Sequence, residues 1–173
     1  MLFRSVAAHH AVANYREAYG LFASTGILFN HESPLRPPHF VTQKIVSTAV
    51  RIADGSPERL SLGNVDISRD WGWAPEYVEA MWCILQHDRP DDFVVATGRS
   101  HSLREFVEKV FAAVGLVARD HVDTDPCLAR PTDILASAAD PAKSRAVLGW
   151  QAGADLDAIV DRLVTAAREW SGA

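Results

Sequence analysis

Three positive charges in this 173-residue chain stand where water is scarce: Arg69 beside Trp71 and Trp73, Arg130 before Pro131, and Lys44 on the first turn of an expected helix. A desolvated cation is costly unless it meets an anion, so each either pairs with a carboxylate of its own chain or waits for an anionic ligand such as a phosphate. For any one of them taken alone the internal pair is favoured by roughly two to one. Asp70 and Asp133 stand close enough in sequence to serve. Asn30-His31, closing an apolar run, adds polar groups at the end of an expected strand, although a lone loop histidine is more often simply satisfied by its neighbours. The tryptophans suit a core as well as a stacking platform. His9-His10 reads as solvated helix surface.

The common catalytic signatures are missing. No GxGxxG or GxxxxGK[ST] loop is present to cradle a phosphate, and no GxSxG, HExxH or Cys/His cluster. A self-contained hydrolase or metalloenzyme is therefore excluded, and no metal ligands are assigned. Cys83 and Cys127 lie far apart without CxxC spacing and read as free thiols of a reducing cytoplasm.

The elements that would position these residues follow from periodicity. Val12, Tyr15 and Tyr19 mark a helix over 6–19 that Gly20 ends. Leu21 to Phe29 is apolar with few charges and suits a strand buried on both faces. Pro34, Pro37 and Pro38 make 35–40 a loop. Val41, Ile45, Ala49 and Ile52 predict a helix over 41–53, and Arg59 to Leu62 a short strand. Pro75 opens a helix whose apolar residues are Val78, Met81, Trp82 and Leu85, and Phe93 to Ala96 makes another strand. Ser102 with Glu105 forms a capping box before Phe106, Val110, Phe111 and Val114. Periodicity fails over 120–131. It returns in a helix that starts at Asp140-Pro141 and ends at Leu148-Gly149-Trp150, and in a final helix over 156–170. No repeat or linker divides the chain, so 1–173 reads as a single unit of α/β or α+β class.

Composition sets outer limits. Seventeen basic and 22 acidic residues give a net charge of −5, spread without a basic block, which argues against nucleic acid as a partner. No apolar stretch approaches the roughly 20 residues that span a bilayer, and no signal-peptide pattern opens the chain, so a soluble, cytoplasmic protein is expected with no membrane partner.

Taken together, the blocks Asn14 to Ala23 (NYREAYGLFA), Gly26 to Pro34 (GILFNHESP), Leu62-Gly63-Asn64, Arg69-Asp70-Trp71-Gly72 and Tyr77 to Trp82 (YVEAMW) closely resemble the GDP-mannose 4,6-dehydratases, which are extended short-chain dehydrogenase/reductases. Ala96-Thr97-Gly98, Arg130-Pro131-Thr132 and Leu148-Gly149-Trp150 follow in the same order. The resemblance implies an α/β fold: the C-terminal portion of an extended Rossmann-type fold together with the smaller substrate-binding part. It implies the NADP-dependent conversion of GDP-mannose to GDP-4-keto-6-deoxymannose. In that reaction a tyrosinate takes the C4 hydroxyl proton, hydride is stored on NADP, a carboxylate removes the C5 proton, water leaves C6 and the hydride returns there.

Carried over residue by residue, the resemblance places His31 and Arg36 on the NADP side, and Asn30, Thr42, Lys44, Arg69 and Arg130 on the GDP-sugar side. Its Tyr-x-x-x-Lys pair, counted back without gaps, falls on Met1 and Ser5, so no residue of this chain is assigned a catalytic role. The Gly-rich loop and the Thr/Glu acid–base residues belong to an N-terminal half not found in these 173 residues. The family's Pro-Arg-Arg-Gly appears as Pro34-Leu35-Arg36-Pro37. A truncated dehydratase, inactive alone, is therefore expected, with GDP-mannose or a related nucleotide sugar as ligand and a complementing N-terminal half or a homo-oligomer as partner. A stand-alone nucleotide-sugar binding module or a non-catalytic structural fragment are the alternatives.

Overall fold

In the computed structural model, which describes residues 2–128 and 134–171, short parallel strands alternate with helices, as the α/β expectation requires. Helix α1 (Leu2–Tyr19) ends at Gly20, whose φ of +63° reverses the chain where a side chain would be strained. Strands β1 (Thr25–Leu28) and β2 (Asn30–Glu32) follow, separated only by Phe29. The chain continues through α2 (Val41–Ala53), β3 (Leu60–Leu62), β4 (Ser68–Trp73), α3 (Ala74–Gln86), β5 (Asp92–Val95) and β6 (Ser100–Ser102). It closes with α4 (Leu103–Ala113), β7 (Val122–Thr124), α5 (Ala142–Leu148) and α6 (Leu156–Ser171). Short 3₁₀ turns flank β7 at Ala118–Asp120 and Pro126–Leu128.

Three small sheets result among the described residues. β1 pairs parallel with β5, Thr25 opposite Asp92. β4 lies between β2, parallel, and β6, antiparallel, while β3 pairs parallel with β7. The expected α2 is matched at both ends, and its buried residues Ile45, Val46, Ala49, Val50 and Ile52 fall on one face. That face closes with α4 and α6 around Phe106, Phe111, Ile159 and Leu163, all essentially inaccessible to water. Each such side chain contributes roughly 1.5–3 kcal/mol by burial, and β3 and Trp71 of β4 seal the open end of this cluster. Ser102 caps α4, accepting from the Glu105 N–H at 3.1 Å, while the Glu105 carboxylate turns to His101 instead of closing the reciprocal half of the box. Asp140 accepts from Ala142 N–H at 2.9 Å at the head of α5, and Gly149, with φ of +67°, ends that helix.

Two expectations need correction. The strand expected over 21–29 is confined to Thr25–Leu28 and is not buried on both faces. Gly26 and Leu28 turn toward α3 and its Ile84, and Ile27, pointing the other way, stays 43% exposed. Burial on both faces needs a covering layer on each side, and among the described residues β1 has one sheet neighbour and one such helix. The helix opened by Pro75 is present, but its core face is Tyr77, Ala80 and Ile84, not the residues singled out by sequence. Val78, Met81, Trp82 and Leu85 form a second stripe, with Trp82 62% exposed. Two apolar stripes on one helix cannot be ranked from spacing alone. No described helix is long and apolar enough to cross a membrane.

Candidate functional site

β2 presents three consecutive polar residues because β4 pairs with it on one side and α3 packs behind it. The Nδ1–H of His31 donates to the Phe29 carbonyl at 2.8 Å, since a carbonyl can only accept. In the neutral ring this leaves Nε2 as a free acceptor. The imidazole is backed by Tyr77, with ring centroids 4.9 Å apart, and Trp150 meets the other part of that phenol edge-on at 6.0 Å. The Tyr77 ring lies so close over Gly72 that a Cβ there would stand 2.3 Å from it. Gly72 therefore ends the Arg69-Asp70-Trp71-Gly72 block for a steric reason. Burial, reinforced by the Asp70 and Glu76 charges, holds the Tyr77 hydroxyl proton far above its ordinary range, and this hydroxyl has no hydrogen-bond partner among the described residues.

Glu32, next along β2, is wholly buried. One carboxylate oxygen accepts from the Thr42 hydroxyl at 2.7 Å and the other from the Arg36 guanidinium at 2.8 Å. The same Arg36 nitrogen donates to the His31 carbonyl at 2.7 Å, and its guanidinium lies 4.1 Å over the Phe40 ring. Burial pushes the Glu32 carboxyl up to about 7, against the opposing pull of Arg36 and of the Thr42 hydrogen bond. Sequence reasoning passed over Glu32, although an acid four residues before Arg36 across a proline turn was a signal for this pair. Thr42 lies in the interior with its hydroxyl on Glu32, so it supports β2 from α2. Asn30 is half-buried, and its side-chain amide makes no hydrogen bond among the described residues.

The other candidate cations behave differently. Of the three half-buried arginines among the described residues, Arg16 pairs with Asp92 at 2.9 Å and Arg36 with Glu32, whereas Arg69 meets only the carbonyls of Ser68 at 2.8 Å and Ile134 at 2.6 Å. Asp70, the carboxylate that sequence offered to these cations, faces the opposite way. It is fully buried and accepts from Thr97 N–H at 3.0 Å, Thr97 Oγ1 at 2.8 Å and Gly98 N–H at 2.8 Å, pinning the turn after β5 to β4. Lys44, on the first turn of α2, is exposed and not short of water as its place in the sequence suggested, because its side chain lies over the surface. It donates to the Ser61 carbonyl of β3 at 2.6 Å and meets no carboxylate within 4.0 Å among the described residues. Arg130 and Asp133 lie outside the described residues. Arg69 nevertheless reaches Ile134, and Ser68 bridges to Ala136, so the stretch after residue 133 runs beside β4.

The structure thus brings His31, Glu32, Arg36 and Thr42 into one network with Asn30 beside it. It holds Arg69 and Lys44 on separate elements, each with a charge that no described carboxylate neutralises. A cavity of about 440 Å³ opens beside the 34–38 loop, with Arg36, Gln43, Leu163 and Trp170 on its wall. No group of three potential metal ligands occurs among the described residues, and both cysteines are free thiols.

Comparison with known proteins gives one consistent answer. A family model described as GDP-mannose 4,6 dehydratase matches residues 5–163. The chain is 49% identical over 158 residues to GDP-mannose 4,6 dehydratase 1 of Arabidopsis thaliana, covering 91% of this chain and 44% of that protein. It is 44% identical over 176 residues to the human GDP-mannose 4,6 dehydratase, covering 92% and 47%. The chain therefore spans about half the length of the curated relatives it matches. Among solved structures, RMD from Pseudomonas aeruginosa in complex with NADPH superposes with a TM-score of 0.86 over 95% of this chain and 55% of that one, at 18% identity. The dTDP-glucose 4,6-dehydratase DesIV from Streptomyces venezuelae, with NAD and TYD bound, gives 0.79 over 91% and 47%, at 20% identity. At such identities these two show the fold alone, an α/β fold with a Rossmann-like core.

Proposed function

The chain belongs to the GDP-mannose 4,6-dehydratase family, and we propose that its 173 residues form the nucleotide-sugar side of that lyase's site, with a cofactor contact at His31 and Arg36 and no catalytic pair of their own. The observation that carries this is Arg69: half-buried, hydrogen-bonded only to carbonyls, and without a carboxylate among the described residues. A guanidinium so placed suits a diphosphate, whose oxygens it can grip in pairs. Lys44 supplies a second positive charge, and Arg130 a third by family position. Asn30, with its amide free, suits a sugar or ribose hydroxyl. Thr42 acts through Glu32.

NADP fits the β2 end in two respects. His31 Nε2 can accept from an amide or hydroxyl of the cofactor, and Arg36 offers a cation beside an open cavity. In the family's reaction the nicotinamide supplies hydride storage. The residues of this chain bind, orient and exclude water. The general base, general acid and Gly-rich loop lie outside these 173 residues, and deleting one general base alone costs about 10²–10⁴ in rate. Turnover of GDP-mannose therefore requires a polypeptide that carries the dehydratase's first half. The open side of β1 and the Ile27 face are where that half, or a second copy, would add a neighbour.

Calorimetric titration of GDP-mannose into the 173-residue chain tests the proposal. Binding that Arg69→Ala and Lys44→Ala each weaken about tenfold or more supports it. Binding unchanged by both substitutions contradicts it, and no binding by a folded wild-type chain favours the structural-fragment alternative. Sustained conversion of GDP-mannose by the chain with added NADP contradicts the absence of a catalytic pair.

A further inference from the structure

We propose that Glu32 is a positioning residue for the anion-binding cations: its buried carboxylate holds Arg36 in the 33–40 loop and Thr42 at the head of α2, so one group governs how freely Arg36 can meet an anion. The inference rests on Arg36 as a ligand contact and goes beyond it by naming what controls that contact.

The geometry is specific. Glu32 sits on the last residue of β2 with no access to water, and both its oxygens are engaged, one by each neighbouring segment. Arg36 is 19% exposed, lies on the wall of the 440 Å³ cavity and is fixed from three directions by Glu32, the His31 carbonyl and the Phe40 ring. The loop itself is tied down at Ser33, whose carbonyl accepts from Arg36 N–H at 3.2 Å and from the Gln43 side chain at 2.8 Å. Of the charged and titratable groups around Glu32, His31 on its own strand turns to the Phe29 carbonyl and Tyr77 of α3 packs on His31. Asp70 of β4 is engaged with Thr97 and Gly98, and Arg162 of α6 lies over the Trp73 ring. Lys44 of α2 donates to Ser61. Among the described residues this leaves Arg36 as the one charge that touches Glu32.

The consequence is a competition. With Glu32 ionised, the Arg36 charge is offset inside the fold and an incoming anion must outbid a buried carboxylate. With Glu32 protonated, the guanidinium keeps its geometry through the His31 carbonyl and Phe40, and its charge is open to the cavity. Because Glu32 takes up its proton near pH 7, the two forms interchange in the neutral range. Anion binding at Arg36 then draws a proton onto Glu32, which a purely structural carboxylate would not do.

Sulfate is the probe, because its charge is constant across this range, titrated calorimetrically into the 173-residue chain at pH 6 and pH 8 in two buffers of different ionisation enthalpy. The wild-type chain is expected to bind about five- to tenfold more tightly at pH 6, with proton uptake, and Glu32→Gln to bind equally at both pH values with none. Thr42→Val removes a bond that favours the ionised form, and it moves the midpoint upward. It serves the same purpose if the glutamine variant fails to fold. A pH dependence that survives in Glu32→Gln, or a midpoint unmoved by Thr42→Val, overturns the proposal while leaving Arg36 as a ligand contact. Sulfate binding indifferent to Arg36→Ala overturns both.

Discussion

The two hydrophobic clusters of this chain are finished to different degrees. Around α2, α4 and α6, twenty described side chains close on one another, with β3 and Trp71 sealing the end. Around α3 and β5 only six do so, and the surroundings stay open: Ile27 on β1, Trp82 and Leu85 on α3, and Tyr15 and Tyr19 on α1 are all exposed. Charge does not follow the same division. Beside β5, Arg16 and Lys143 are matched by Asp92 and Asp91, whose carboxyls these cations hold below the usual range. Beside the larger cluster, Arg51, Arg59, Arg104 and Lys109 are matched in the same way by Glu58, Asp123, Asp66 and Asp157, while Arg69 and Lys44 meet no carboxylate among the described residues. The two sides therefore differ in how far their packing is closed, not in how their cations are paired. The smaller cluster is the one flanked by exposed apolar side chains of α1, β1 and α3.

The sharpest way to break this contrast is to cut each side. Phe106→Ala, at the centre of the larger cluster, should cost about 3–5 kcal/mol in chemical denaturation. A loss below about 1 kcal/mol would show that the larger cluster is not the stable unit.

Next in size is the pH dependence of Glu32. The folded carboxyl keeps its proton up to about pH 7, well above the ordinary value of 4.5, so the folded form binds more protons than the unfolded one between those limits. Stability is therefore greatest below pH 4.5, as far as this group is concerned, falls by about 3 kcal/mol in all as pH rises from 4.5 to 7, and levels off above that. Glu32→Gln should flatten that part of a denaturation series run from pH 5 to pH 8. An unchanged slope would place the titration elsewhere.

Asp70→Asn probes the joint between the sides, because Asp70 on β4 holds the Thr97-Gly98 turn that follows β5. Replacing one accepting oxygen by an amide nitrogen that faces N–H donors should cost about 1–3 kcal/mol. The loss should appear as faster proteolysis near 97–98. Smallest is Trp82→Ser, expected to fall within about 0.5 kcal/mol in the 173-residue chain, since its side chain is already in water. A larger cost would mean that the α3 stripe is covered.

The amphipathic helices were legible because their periods are long and their ends chemically marked: α2 by its single apolar face, α4 by Ser102, α5 by Asp140 and Gly149. Strands β2, β6 and β7, and six-residue β4, were not, because their polar or mixed residues show no alternation and their pairing depends on partners distant in sequence. On α3 the helix was legible and its inward face was not. Only the sheet decides between Tyr77-Ala80-Ile84 and Val78-Trp82-Leu85, through the room that Ala80 and Gly26 leave for close approach. At the site, the residue types anticipated a half-buried cation at Arg69 but not the exposure of Lys44, because what packs around a lysine stem is set by the tertiary fold. Glu32 and the turned-away Asp70 were hidden because which carboxylate answers which cation is a tertiary fact.

Hydrogen exchange of the 173-residue chain, with and without GDP-mannose, tests the central contrast most directly. Slow exchange is predicted in α2, α4 and α6 and fast exchange in α1, β1 and β5, with GDP-mannose adding protection around Lys44 and Arg69 only. Uniform protection across both sides, or protection by GDP-mannose confined to β1 and β5, would contradict the account.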